Sequence, residues 1–213
     1  MFTTTRPSRA RRAAASAAAV VTAALVLAAC GGEDGDTPSG HTGHATESTA
    51  PASPGQDAHN AADVAFAQGM IPHHRQAVQM SEMAADRAAA PEVKALAEKI
   101  KKAQDPEIRT LSGWLTSWGE QVPGEDAGMD HGGHDGTAGM MTEEEMDRLA
   151  KSSGKAFDTA FMEMMIKHHE GAVEMAKTEQ AKGSYAPAKK MAGDIVAAQS
   201  AEIAEMNKLL GKG

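Results

Sequence analysis

The residues best suited to chemistry in this chain form two Met-x-x-His-His motifs. Their members are Met70, His73 and His74 in the first copy and Met165, His168 and His169 in the second. On a helix, residues three apart lie on one face, so each motif places a thioether one turn from an imidazole. Thioether sulfur and imidazole nitrogen together suit copper, especially Cu(I). The motifs therefore predict a copper ion bound by methionine and histidine.

Four further residues belong to the predicted site. Met80 and Met175 follow the two histidine pairs at matching positions and are predicted as additional ligands, although a methionine stripe at helical spacing also serves as core filling. Asp63 and Asp158 precede the motifs and are predicted to orient imidazoles by hydrogen bonding. Unpartnered buried imidazoles would cost about 1–3 kcal/mol each, which favours a ligand role for the histidines.

Two looser His-x-x-His pairs lie in segments rich in Gly and Asp. One is His41 with His44, and the other is His131 with His134, which has Met129, Met140 and Met141 nearby. Compositional drift and metal capture explain these pairs equally well, so their role stays open.

The motifs belong to an internal repeat. The segment 66–80 recurs 95 residues later as 161–175, and the register continues without a gap to Leu115 and Leu210. Each copy is a unit of about 50 residues, and a repeat of this kind constrains the whole fold. Four helices are predicted, over residues 58–88, 91–118, 155–182 and 187–210, with a short helix opened by the Thr142–Glu145 capping box. Pro72 should kink the first helix, and Asp105-Pro106 should bend or interrupt the second.

These elements predict an all-α fold, a ferritin-like four-helix bundle built from two tandem helix hairpins. The bundle domain should span residues 58–213, with repeat one at 58–118, a Gly-, His- and Met-rich connection at 119–141 and repeat two at 142–213. The connection permits either a crossover along the bundle or a simple up-down arrangement. In both cases two-fold symmetry would bring the four histidines to one level.

The N-terminal segment predicts export and anchoring. Residues 1–29 combine four arginines with an alanine-rich apolar run, which indicates a signal peptide. They end before Cys30, the single cysteine of the chain, in a sequence resembling a bacterial lipobox. Acyl chains such as palmitate on Cys30 would tie the protein to the outer face of the cytoplasmic membrane, and residues 30–57 would form a disordered tether. A chance cysteine beside an ordinary signal peptide is the alternative.

The charge of the mature chain limits its partners. Without residues 1–29 it carries 17 basic and 29 acidic side chains, a net charge of −12. This disfavours nucleic acid and favours a cation. With Cys30 acylated, a metal site must use His, Met, Asp or Glu.

The sequence resembles the ferritin-like bundle family catalogued as domain of unknown function 305. The resemblance rests on Asp63-x-x-Phe66-x-x-x-Met70-Ile71-Pro72-His73-His74-x-x-Ala77-x-x-Met80 and its copy from Asp158 to Met175. It covers about residues 57–210. It implies an exported or lipid-anchored four-helix domain and, from the members with an assigned role, copper binding and tolerance. Lys167 stands where the first copy has Pro72, so the two halves need not be equivalent.

The predicted function is copper binding for sequestration or transfer by a lipid-anchored protein outside the cytoplasm. One alternative is a redox metalloenzyme, either a cuprous oxidase or a di-metal site that reacts with oxygen. No nucleophile or acid–base constellation is visible in the sequence, which argues against an enzyme. The other alternative is an envelope module that binds a protein without metal. A protein that donates or accepts the metal and a second copy of the chain stay open as partners.

Overall fold

The computed structural model describes residues 58–125 and 138–212, and its regular elements are all helical. The helices are α1 (Ala61–Arg87), α2 (Pro91–Trp118), α3 (Glu143–Lys151), α4 (Gly154–Lys182) and α5 (Ala186–Leu209). The predicted all-α fold is therefore confirmed. Within the described ranges, none of the helices is both long and apolar enough to cross a membrane. Cys30 and both His-x-x-His pairs lie outside these ranges.

Local sequence signals set the ends of the helices. Asn60 and Asp63 form a capping box at the start of α1, and Thr142 and Glu145 form another at the start of α3. Pro91 begins α2, where its missing N–H costs no hydrogen bond, and Gly119 ends it in the left-handed conformation with φ 74°. Helix α1 continues through Pro72 and α2 continues through Pro106, so α2 is not interrupted at Asp105-Pro106, and of the two predicted outcomes a bend is the one left there.

The long helices pack as two hairpins, α1 against α2 and α4 against α5, and the hairpins contact each other through α1 and α4. The N-terminal half of α1 shares a buried cluster with the C-terminal half of α4, so these two helices run in opposite directions. An up-down arrangement would make them parallel. The connection between the hairpins therefore crosses the length of the bundle, as in ferritin-like folds.

Two apolar clusters fill the bundle, one towards each end. The first, here called the Phe157 cluster, contains Phe157, Phe161, Met80, Met165 and Leu96 among others. The second, here called the Leu115 cluster, contains Leu111, Leu115, Phe66, Met70 and Ile71 among others. Each cluster combines one half of each repeat. The histidine pairs lie on α1 and α4 between the segments that form the two clusters.

Candidate metal centre

His73 and His168 meet where α1 crosses α4. Their ring centroids are 3.7 Å apart with an interplanar angle of 42°, and both side chains are fully buried. The two residues are equivalent in the repeat, so the pseudo-two-fold axis of the bundle passes between them. The predicted meeting of the two copies at one level is therefore present in the structure.

His74 and His169 lie beside this pair, and each contacts a glutamate on the partner helix of its own hairpin. His74 Nε2 is 2.7 Å from Glu107 Oε2, and His169 Nε2 is 2.8 Å from Glu202 Oε2. A carboxylate accepts hydrogen bonds, so each Nε2 carries the proton and donates. This leaves Nδ1 of both rings with a free lone pair. Such a carboxylate–imidazole pair is the usual support of a metal-binding histidine.

The remaining ring nitrogens are buried and mostly unpartnered. His73 Nε2 is 3.2 Å from the carbonyl oxygen of Ala138, to which it can donate. Nδ1 of all four histidines has no hydrogen-bond partner, and neither does Nε2 of His168. Because a buried nitrogen without a partner costs about 1–3 kcal/mol, this group is costly for the protein on its own. A bound cation would satisfy these lone pairs.

Burial also favours the neutral form of three of these rings, His73, His168 and His169, and neutral imidazole is the form that binds metal. Burial, reinforced by neighbouring His74, lowers the pKa of His73 to about 3. Burial and the proximity of His73 lower the pKa of His168 well below its usual value. Burial lowers the pKa of His169 as well, although the hydrogen bond to Glu202 opposes this effect. These three imidazoles therefore stay available as ligands in mildly acidic surroundings.

The four predicted methionine ligands divide between the two apolar clusters. Met70 belongs to the Leu115 cluster and Met175 packs against it, whereas Met165 and Met80 belong to the Phe157 cluster. Each side of the histidine layer thus has one predicted methionine from each copy. Met70, Met80 and Met165 are fully buried and Met175 is partly buried.

A ready-made metal site of nitrogen, carboxylate or thiolate ligands is missing from the described parts of the chain. Over residues 58–125 and 138–212, no three His, Cys, Asp or Glu side chains converge in a way that could hold a metal ion. An open pocket of about 400 Å³ lies elsewhere, at the start of α1 beside His59, Gln68 and Glu120, and includes none of the predicted ligands.

The prediction that Asp63 and Asp158 orient imidazoles is corrected by their contacts. The Asp63 carboxylate accepts hydrogen bonds from the backbone N–H groups of Asn60, Ser184 and Tyr185 at 2.6–3.2 Å. Asp158 accepts from the N–H groups of Ala89 and Ala90, both at 3.0 Å. Each aspartate therefore closes the hairpin turn of the other repeat.

Sequence reasoning missed the two glutamates that contact the histidines. Glu107 and Glu202 follow His74 and His169 by 33 residues in each copy. Gln104 and Gln199 lie one turn earlier at another matched pair of positions, and their side-chain oxygens are buried without a partner. The available signal was a polar residue at the same position of both repeats on otherwise apolar helix faces.

The family of the chain follows from sequence comparison. Residues 63–210 match the family described as Domain of unknown function (DUF305). The chain belongs to this family. Its structure is similar to a DUF305 protein of Streptomyces coelicolor, described as a candidate secreted protein, with 35% identity and a TM-score of 0.64 over 71% of this chain and 93% of that one. No curated protein matches the sequence significantly.

Two other solved structures are informative about the DUF305 fold. CopM in its Cu(II)-bound form is 35% identical, with a TM-score of 0.60 over 69% of this chain and 94% of that one. CopM has also been solved in Cu(I)-bound and silver-bound forms. A DUF305 fragment from Deinococcus radiodurans is 27% identical, with a TM-score of 0.63 over 72% of this chain and 98% of that one. This DUF305 chain is therefore similar to a copper-associated protein.

Proposed function

We propose that this DUF305 protein binds copper outside the cytoplasm, as Cu(I), and holds it for sequestration or transfer. The observation that carries the proposal is the set of buried, unpartnered Nδ1 atoms on the four histidines, between methionines from both repeats. Met70, Met80, Met165 and Met175 would supply the thioethers. The Cu(I)- and silver-bound forms of CopM support a soft cation as the ligand of a similar fold.

Anchoring and export belong to the same proposal. The signal peptide at 1–29 and an acylated Cys30 would place the bundle on the outer face of the membrane, tethered by residues 30–57. A protein held there could capture copper before it reaches the cytoplasm or pass it to another envelope protein. The net charge of −12 would favour the approach of a cation.

The alternative function on which the structure has evidence is an envelope module that binds a protein without metal. Histidines bonded to carboxylates are what that alternative predicts, and His74 and His169 have such bonds. It also predicts exposed apolar surface, yet Leu209 is the one large apolar residue that is well exposed in the described part of the chain. It gives no reason for burying both nitrogens of His168 without a partner. Metal binding accounts for the His168 nitrogen that has the lone pair, while the other nitrogen carries the proton of the neutral ring.

The test is copper stoichiometry of the mature chain under reducing conditions. We expect about one or two Cu(I) per chain, since the two-fold layer offers two equivalent groups of nitrogen and sulfur. Replacing His73, His74, His168 and His169 with Ala should abolish binding at this layer. The matched control is His59→Ala, because His59 stacks on Trp118 instead of facing the centre. Unchanged stoichiometry in the fourfold variant would overturn the proposal.

A second variant guards against loss of folding. Met70→Leu with Met165→Leu conserves side-chain volume, so the bundle should fold while losing thioether ligands. We expect a loss of Cu(I) affinity of at least about tenfold. Met206→Leu is the control, because Met206 is a fully buried methionine that is not a predicted ligand. Equal affinities in the double variant and the control would remove Met70 and Met165 from the proposed site.

A further inference from the structure

The segment Ala138–Met141, here called the strap, lies against the histidine centre. It is the last part of the connection that crosses the bundle, directly before the Thr142 cap of α3. Ala138 and Met141 both contact α1: the Ala138 carbonyl is 3.2 Å from His73 Nε2, and Met141 is bonded to Gln76. His73 and Gln76 are one helical turn apart, so one face of α1 holds both ends of the strap.

Gln76 holds the strap by two hydrogen bonds. Its Nε2 donates to the Met141 carbonyl at 2.8 Å, and its Oε1 accepts from the Met141 N–H at 2.7 Å. The side-chain amide thus pairs with the strap as another backbone strand would. The Met141 side chain is buried in the Phe157 cluster, so packing also holds this residue in place.

Helix α4 is shaped to receive the strap from the other side. Gly139 has φ 81°, and a Cβ at this position would lie 2.6 Å from the Lys167 carbonyl oxygen. A Cβ at Gly171 would overlap the carbonyl oxygen of Ala138. The repeat equivalent of Gly171 is Gln76, so one copy makes room for the strap and the other binds it. This close approach holds the Ala138 carbonyl beside His73.

The Ala138 carbonyl determines which nitrogen of His73 can bind metal. A carbonyl oxygen only accepts, so Nε2 must carry the proton and Nδ1 must carry the lone pair. Without that acceptor, the ring could hold its proton on either nitrogen. The strap therefore selects the tautomer whose lone pair is on Nδ1, the buried nitrogen without a hydrogen-bond partner.

We propose that Gln76 is a positioning residue for the metal centre. By holding the strap against α1 and α4, it fixes the tautomer of His73 and limits the rate at which metal enters and leaves. The tautomer part concerns the protein without metal, whereas the rate part rests on the proposed copper function. The two parts can therefore fail separately.

The experiment compares Gln76→Ala with Gln68→Ala. Gln68 lies two turns earlier on α1 and donates to the Gln121 carbonyl of another part of the connection at 3.2 Å, so it is a glutamine that binds loop backbone away from the centre. Nitrogen-15 NMR of histidine side chains in the copper-free protein reports the tautomer of His73. Transfer of Cu(I) to a chelator, followed by stopped flow, reports the release rate.

We expect the wild type and Gln68→Ala to hold His73 protonated at Nε2, and Gln76→Ala to show a mixture of tautomers. Copper release should accelerate about tenfold in Gln76→Ala, the order expected from losing two neutral hydrogen bonds, with unchanged stoichiometry. The same tautomer and release rate in Gln76→Ala and Gln68→Ala would overturn the proposal. If the wild type binds no copper, the copper function fails, and the tautomer comparison alone decides the role of Gln76.

A second variant displaces the strap without touching Gln76. Gly171→Ala puts a methyl group where the Ala138 carbonyl lies, so it should also mix the tautomers of His73 and speed copper release. Circular dichroism and urea unfolding verify that the bundle is folded in every variant. A folded Gly171→Ala protein with the wild-type tautomer and release rate would contradict the proposed action of the strap.

Discussion

The two hairpins of the bundle support the histidine layer in the same way but enclose it differently. In α4–α5, Glu202 is 4% exposed and lies 3.6 Å from the Lys99 ammonium of α2, whereas in α1–α2 Glu107 is 25% exposed. The position matching Lys99 in the second copy is Asp194, which pairs with Lys190 on its own helix. The His169 side of the centre is therefore drier and has an added cation, and the His74 side is closer to water.

The two hairpin turns also differ, in the number of buried carboxyl groups that they contain. Asp63 and Asp158 each close the turn of the opposite repeat, but only Asp63 has a second buried carboxyl group beside it, Glu179. The first copy has Ala84 at the position of Glu179. The matched residues thus support the centre and the turns in the same way in both repeats, and the unmatched ones, Lys99 and Glu179, make the two repeats different.

The largest effect expected from this comparison is on the hairpin turns. Asp63→Ala should lower the free energy of unfolding by roughly 3 kcal/mol and Asp158→Ala by roughly 2 kcal/mol, because buried charge-assisted hydrogen bonds are lost. The Asp63 loss is greater because its carboxylate also accepts from the Ser184 hydroxyl and caps α1. Urea unfolding without copper measures both values.

The same variants test the corrected role of the two aspartates. Since neither carboxylate contacts a histidine, Cu(I) affinity should stay within about threefold of the wild type in both variants. A tenfold loss of affinity in a variant that remains folded would restore the role of orienting imidazoles. Equal destabilisation by the two substitutions would contradict the difference between the turns.

The next effect concerns the glutamates that support the imidazoles. Glu202→Gln should weaken Cu(I) binding about tenfold, the lower end of the range for partners of metal-binding histidines, because an amide keeps the shape but removes the charge. Glu107→Gln should weaken it about threefold, since water reaches this side and can replace part of the lost interaction. Competition with a Cu(I) chelator measures both affinities.

The control for the glutamates is Glu205→Gln. Glu205 also pairs with Lys99, at 3.4 Å, but it contacts no imidazole. The Cu(I) affinity of the Glu205→Gln protein should differ from the wild type by less than about twofold, as expected for an exposed ion pair. If Glu107→Gln proves as costly as Glu202→Gln, the two halves of the centre are equivalent and the exposure difference has no consequence.

What the sequence could predict follows from local patterns and from the repeat. Apolar periodicity and capping signals located the helices, and the 95-residue register placed His73 opposite His168. The partners of the polar residues depend instead on contacts between distant helices. Asp63 was assigned to the histidines because it precedes them on the same helix, yet its carboxylate lies against a turn about 120 residues away in the chain.

The strap could not be predicted for a related reason. Gln76 and Gly171 occupy matching positions of the repeat, yet their roles in the structure are complementary. A glycine that makes room for a chain segment has no signature until that segment is placed. The direction of α4 relative to α1 also stayed open, because a connection of this length permits both arrangements.

The smallest expected effect is on how stability depends on pH, through Glu179, the buried carboxyl group that has no counterpart in the first repeat. Burial, with hydrogen bonding to Asp63, raises the pKa of Glu179 to about 8 from its usual 4.5. A pKa that is higher in the folded state means that the stabilisation is complete below pH 4.5 and is lost as the pH rises through 8. Glu179→Gln, which keeps a neutral side chain at every pH, should therefore gain stability relative to the wild type as the pH rises from 5 to 9.

The gain should be at least about 1 kcal/mol at pH 9, equivalent to roughly 2–4 °C or more in Tm, because only the wild type must ionise the buried Glu179 as the pH rises. The measurement is the difference in unfolding free energy between variant and wild type at each pH, which cancels the other titrating groups. Glu174→Gln, an exposed substitution on the same helix, is the control for removing a glutamate charge from α4. If the difference in unfolding free energy between Glu179→Gln and the wild type does not change with pH, Asp63 and Glu179 near the α4–α5 turn do not share a proton.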